Sequence, residues 1–182
     1  VGTLLYHLRA ADSWPTLVKD ELRSHALGNS LWELRHQLVL EELLVSLDAA
    51  AVPALVMKGT ALAYTLYEVP ATRERGDTDL FVPEGSREVA SDVLLKLGYR
   101  PRVAVAGRLV SYQASYDLTA ADGSAHTIDL HWKINNSQVL AAVFGHEELF
   151  ESATELEGIG KSARGPNEIH ALLLACMQRA TH

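Results

Sequence analysis

The chain has 182 residues, 48% of them hydrophobic, with a formal net charge of −7 and a pI of about 5.6. This supports one sizeable core and excludes disorder, while the acidic balance speaks against a generic nucleic-acid binder. A single cysteine, Cys176, excludes an internal disulfide framework; no apolar run approaches membrane-spanning length and no signal-peptide pattern opens the chain, so a cytoplasmic protein without membrane contact is expected.

The first fifty residues read as helical. Ser30-Leu31-Trp32-Glu33 has the capping-box form, which predicts a helix start there. Leu31, Leu34, Leu38 and Val45 fall on one face, with Leu40, Leu44 and Leu47 beside them, a wide stripe for packing. "VPALVMKG" predicts a short buried strand after Pro53, and Gly59 turns the chain into a helix, "TALAYTLYEV", that ends before Pro70. A basic loop, "ATRERG", leads into the strand "DTDLFV", which Pro83 ends.

"EGSREVASDVLLKLGYR" predicts an amphipathic helix with Val89, Val93 and Leu97 in line and Gly98 as its stop. "RLVSYQASYDL" alternates as a strand does, "ADG" suits a hairpin turn, and "HTIDLHWKI" is the next strand. "SQVLAAVFGHEELFESA" reads as one helix. Pro166 sits at a first helical position, and Ile169, Leu172, Leu173, Cys176 and Met177 follow with helical spacing, placing Cys176 in the core. The expected division is a helical region over 1–50, a mixed α+β core over 51–160 and the start of a C-terminal helical region, cut short, over 161–182.

Two motifs overlap in "RERGDTDLFV". Arg75-Gly76-Asp77 is a tripeptide that adhesion receptors read on exposed loop tips, but Asp77 opens a strand entering a core, which disfavours that reading. Asp77 and Asp79 share one strand face, their Cα atoms roughly 7 Å apart, and such a pair of charges favours a cation between them. In the later strand Asp129 and His131 share a face, with Ile128, Leu130 and Trp132 on the other, toward the core. If the two strands pair, Asp129 joins Asp77 and Asp79, and three carboxylates without a cysteine favour Mg²⁺ or Mn²⁺. The helix opened by Gly59 and Thr60 offers free amides and a positive dipole end to phosphate, with the Thr60 hydroxyl as a further donor. Lys58 is placed to meet a phosphate or one of the acids; Arg73 and Arg75 suit triphosphate oxygens or are solvated loop charges; His131 orients an acid, ligates a metal or is structural.

The residues "MKGTALAYTLY", "RERGDTDLFV" and "IDLHWKI" resemble the DNA polymerase β-type nucleotidyltransferase superfamily, and more closely its uncharacterised bacterial branch, over about 55 to 134. They are also similar to abortive-infection toxin nucleotidyltransferases. The resemblance implies an α+β nucleotidyltransferase fold, a mixed sheet flanked by helices, with an N-terminal helical region and a truncated C-terminal one. It implies Mg²⁺ (or Mn²⁺) at Asp77, Asp79 and Asp129, the last also activating the attacking group; an NTP such as ATP held at Gly59 and Thr60, with Arg73 matching the family's arginine better than Arg75; and transfer of a nucleoside monophosphate with release of pyrophosphate. The acceptor is a small molecule, a protein or an RNA end, and the oligomeric state is open. Thr60 stands where members carry Gly or Ser, and Thr78 where they carry an apolar residue, which motivates the alternative of a non-catalytic nucleotide- or partner-binding module on the same fold. A metal-dependent glycosyltransferase also uses Asp-x-Asp, but leaves the second acid strand without a role.

Overall fold

The computed structural model describes residues 2–7, 13–102, 112–121 and 123–180. Two helices come first, α1 (Gly2–His7) and α2 (Thr16–Ala49). Then follow β1 (Leu55–Met57), α3 (Lys58–Leu66), β2 (Asp77–Phe81), α4 (Arg87–Lys96), β3 (Arg100–Pro101), β4 (Gln113–Thr119), β5 (Ala125–His131), α5 (His146–Glu151), β6 (Thr154–Glu155), β7 (Arg164–Gly165) and α6 (Glu168–Ala180). Five strands form one mixed sheet in the order β1-β2-β5-β4-β3, in which β2 and β5 are parallel and the other pairs antiparallel. β6 and β7 form a separate two-stranded ribbon. The fold is α+β, a mixed sheet flanked by helices, as expected.

Strand alternation divides the sheet into two faces. On one, Val56, Leu80, Val82, Ile128, Leu130 and Tyr116 meet Leu40, Leu43, Leu44 and Leu47 of α2 and Ala90, Val93 and Leu94 of α4 in the main core. Burying each such leucine stabilises the fold by about 1.5–3 kcal/mol. On the other face, Leu55, Met57 and Phe81 are covered by Ile134, Leu149 and the partly buried Leu174 and Met177 of α6. That cover reaches only the apolar half of the second face. The adjoining half carries Asp77, Asp79 and Asp129, and this is what places a site there.

Several sequence expectations are corrected. Ser30 does not open a helix: it lies inside the 34-residue α2, and its hydroxyl donates to the Ala26 carbonyl at 2.8 Å, one turn back, instead of capping amides. Leu31, Leu34, Leu38 and Val45 face solvent, because α2 turns Leu40, Leu44 and Leu47 inward. Val89 of α4 is exposed for the same reason, its helix burying Ala90, Val93 and Leu94. α3 ends at Leu66, a turn short of the expected end, and the helix expected over 137–153 forms only as α5, residues 137–143 being turns. Pro166 precedes α6 rather than occupying its first turn; Asn167 begins it, its Oδ1 accepting from the His170 amide at 2.9 Å. α6 points Leu174 and Met177 at the apolar cluster and leaves Ile169, Leu172, Leu173 and Cys176 exposed, so Cys176 is not a core residue. Trp132 follows the end of β5 half-buried, with the Arg87 guanidinium 5.6 Å from its ring centroid, instead of packing in the core.

Gly98 ends α4 as expected, at φ +91°, where its amide donates to Leu95 and that of Tyr99 to Leu94. A Cβ there meets only Leu118, at 3.7 Å, so the cost of a side chain lies in the backbone. Gly98→Ala is expected to lower stability by about 1 kcal/mol in urea unfolding. Of the hairpin strand expected over 108–118, residues 108–111 lie outside the described residues, as does Asp122 of the turn. The remainder forms β4 paired with β5 across Gly123, at φ +84°.

Candidate active site

The site begins with register. Asp79 and Asp129 are Cα partners in the parallel β2–β5 pair, and Ser115 of β4 is the partner of Asp129 on its other side. Two residues further along, His131 faces Gln113 across β4–β5. Asp79, Asp129 and His131 thus share one face, and one potential ligand atom from each lies within 4.8 Å of the others. Asp77 is on the same face but more exposed and outside that group. The structure therefore brings two of the three expected acids together with His131 and sets Asp77 at the rim.

Asp79 is 6% exposed. Its Oδ1 accepts from His131 Nε2 at 2.7 Å and also from the Lys58 ammonium. Burial alone raises the Asp79 carboxyl, but the His131 hydrogen bond and Lys58 outweigh it and hold it below the usual carboxylate range. Asp77 moves the other way, raised first by burial and then by the negative charges of Asp79 and Asp129. A carboxylate under such pressure is one that a bound cation relieves. Asp129 is held at both oxygens: Ser115 Oγ donates to Oδ1 at 2.6 Å and Gln113 Nε2 to Oδ2 at 3.4 Å. Asn136 in turn donates to Gln113 Oε1 at 2.9 Å.

β1 ends at Met57, the partner of Asp79, so Lys58 emerges beside that carboxylate. Lys58 itself adopts φ +50°; the left-handed residue at this turn is the lysine, not Gly59. No side chain caps the start of α3. The Arg73 Nε donates to the Gly59 carbonyl at 3.1 Å. Lys58, Gly59 and Arg73 line a cavity of about 350 Å³ with Leu62, Leu174 and Arg179, a largely apolar space beside the helix start with three cations on its wall. Lys58 also borders a second cavity, about 460 Å³, with His131, Gln113, Asn135, Asn136 and Gln178. A larger cavity, about 680 Å³, lies past Phe81 against Trp132, Phe144 and Phe150; none of these three cavities has Asp77, Asp79 or Asp129 in its lining.

Two expected phosphate contacts point elsewhere. Thr60 is fully buried, its hydroxyl 2.9 Å from that of Thr78 and accepting from Arg75 Nε at 3.1 Å, so only its backbone is left for a ligand. Arg75 is sequestered, its Nη2 2.6 Å from Glu33 Oε1, both side chains under 10% exposed. Tyr64 donates to the same Glu33 oxygen at 2.6 Å. An arginine so engaged displays no Arg-Gly-Asp tripeptide to a receptor.

Behind the acid strand, His36 of α2 stands 2.8 Å from the Thr78 hydroxyl and 3.2 Å from His126 Nδ1, stacked under Trp32. Burial, then the Arg75 charge, then His126 push its pKa down to about 3. Because the folded pKa is below the free value near 6.5, His36 contributes stability above pH 6.5 that is lost as pH falls toward 3. Half-buried His146 is shifted in the same direction, first by burial. Urea unfolding at a series of pH values is expected to show a decline below pH 6.5. His36→Gln should make it shallower by up to about 1.4 kcal/mol per pH unit.

The capping-box pattern reads Glu33 as a helix cap rather than the partner of Arg75, and His36, His126, Ser115 and Gln113 escaped the sequence reading. For the last two a signal existed: a hairpin turning about residue 122 sets Ser115 opposite Asp129 and Gln113 opposite His131.

A family model described as "Uncharacterised nucleotidyltransferase" matches residues 1–182, the whole chain. The chain belongs to this nucleotidyltransferase family. No match is found among curated proteins. Membership in a nucleotidyltransferase family gives the converging carboxylates a chemical context, since the general activity is transfer of a nucleotide from an NTP. Among the described residues no helix is long and apolar enough to cross a membrane.

Proposed function

We propose that the chain is a metal-dependent nucleotidyltransferase that moves a nucleoside monophosphate from an NTP to an acceptor hydroxyl or amine and releases pyrophosphate. The observation that carries this reading is the direct pairing of Asp79 with Asp129 across parallel strands, beside an uncapped helix start. The donor set fits a hard cation: two carboxylates and an imidazole converge within 4.8 Å, with Asp77 at the rim. Asp77, Asp79 and Asp129 would hold Mg²⁺ or Mn²⁺, which when bound neutralises the triphosphate and favours an ionised acceptor. Asp129, fixed by Ser115 and Gln113, takes the acceptor proton. Lys58, the backbone amides at Gly59 and Thr60, and Arg73 receive the triphosphate, Arg179 adding a cation from α6. Alignment and charge neutralisation do most of the catalytic work. The acceptor is a small molecule, a protein side chain or an RNA end.

A second reading, a nucleotide-binding module without turnover, is favoured by one observation: Lys58 already supplies Asp79 with a cation from within the chain. Pyrophosphate release under Mg²⁺ with a panel of NTPs and acceptors separates the two. Release supports transfer; nucleotide binding by calorimetry without turnover supports the module.

A further inference from the structure

Lys58 combines three features that belong together. Its ammonium sits on Asp79 Oδ1, the oxygen that already accepts from His131. Its backbone is held at φ +50°, a conformation that costs a non-glycine residue roughly 1–2 kcal/mol and that persists where the surrounding structure enforces it. Lys58 borders two cavities: a largely apolar one that Arg73 and Arg179 also line, and an amide-lined one that His131 and Gln113 share.

We propose that Lys58 is a resident cation of the acid cluster, holding Asp79 while no metal is bound and moving to the triphosphate when nucleotide arrives, so that metal and nucleotide bind cooperatively. The inference rests on the nucleotidyltransferase reading and adds a role that the catalytic acids do not have. Without a cation, the carboxylates that the β2–β5 register gathers on one sheet face repel one another. Lys58 relieves that repulsion at Asp79, and so competes with any divalent ion for the same oxygen. The cavity shared with Arg73 and Arg179 gives the ammonium a second place to go once phosphate oxygens occupy it, reached by rotating a four-carbon stem. A triphosphate that draws Lys58 away thereby opens Asp79 to the ion, and by linkage the ion favours the triphosphate by the same factor.

The test is Mn²⁺ binding to the chain, followed by electron paramagnetic resonance of free Mn²⁺, with and without the non-hydrolysable analogue α,β-methylene-ATP and corrected for Mn²⁺ bound by the analogue in solution. The wild type is expected to bind Mn²⁺ alone weakly and at least about tenfold more tightly with the analogue present, a coupling of ordinary allosteric size. Lys58→Met and Lys58→Gln are expected to bind Mn²⁺ alone about tenfold more tightly than wild type and to lose most of the gain from the analogue. Lys58→Arg, which keeps the charge, should retain the wild-type pattern. If Mn²⁺ binds through Asp79, as loss of binding in Asp79→Asn would show, but Lys58→Met and Lys58→Gln leave the Mn²⁺ affinity and the coupling unchanged, the Lys58 role is overturned and the nucleotidyltransferase reading stands. If Mn²⁺ binding is absent or indifferent to Asp79→Asn, the metal reading falls and the Lys58 role with it.

Discussion

Asp79→Asn is expected to lower pyrophosphate release by at least about a thousandfold while leaving the protein folded. The substitution keeps the shape and an oxygen able to accept from His131 and Lys58, and removes only the negative charge. A catalytic role as metal ligand depends on that charge; a structural role depends mainly on the hydrogen bonds. The stability change is small because Lys58, 29% exposed, can turn to solvent when its partner is neutralised. Asp129→Asn tests a different step. Its carboxamide can still sit between Ser115 and Gln113, but can no longer accept the acceptor's proton, so turnover should fall further than the affinity for the metal–nucleotide analogue, which loses one ligand. Steady-state kinetics beside thermal melts reads both outcomes. Full activity in Asp77→Asn and Asp79→Asn would discard the mechanism.

How much of this was legible in the sequence follows from what fixes each element. "DTDLFV" and "HTIDLHWKI" alternate strictly, and a strand's period of two decides which residues share a face, so the common face of Asp77 and Asp79 and that of Asp129 and His131 were readable. That the two strands lie side by side was not, since β2 and β5 are joined by α4 and two further strands rather than a turn. α2 shows the opposite case. Leu27, Leu31, Leu34, Leu38 and Val45 form one apolar stripe and Leu40, Leu43, Leu44 and Leu47 another, both at helical spacing, and periodicity alone cannot say which one the sheet covers. The capping-box residues misled because Glu33 serves a tertiary partner: it faces Arg75, 42 residues on, and no local rule anticipates that. The buried polar groups around Thr60 and Thr78 were hidden for the same reason. A polar residue between two acids looks like a departure from an apolar pattern until His36 arrives from another element to satisfy it.

Arg75→Ala is expected to destabilise the fold by about 3–5 kcal/mol, the largest single stability effect among these substitutions. Glu33 is 7% exposed, and Arg75 is its cationic partner. Removing the guanidinium strands a carboxylate in the interior, with only the Tyr64 hydroxyl donating to it among the described residues. The same change takes away the donor to Thr60 and a cation stacked 5.6 Å from Trp32 and 5.7 Å from Tyr64. Thr60 lies in the first turn of the helix beside the acids, so part of the loss should appear as weaker nucleotide binding, but only in proportion to unfolding. That proportion separates this role from direct phosphate contact. An arginine that grips the triphosphate lowers nucleotide affinity at constant melting temperature when replaced; Arg75 should lower the melting temperature first. The double variant Glu33→Gln with Arg75→Met removes both charges together and is expected to recover much of the stability, because the cost lies in the unpaired charge more than in the lost pair. Arg73→Ala, by contrast, should weaken nucleotide binding with a smaller change in unfolding, since that half-buried side chain reaches one backbone carbonyl, the face of the Tyr67 ring at 5.8 Å and the edge of the cavity.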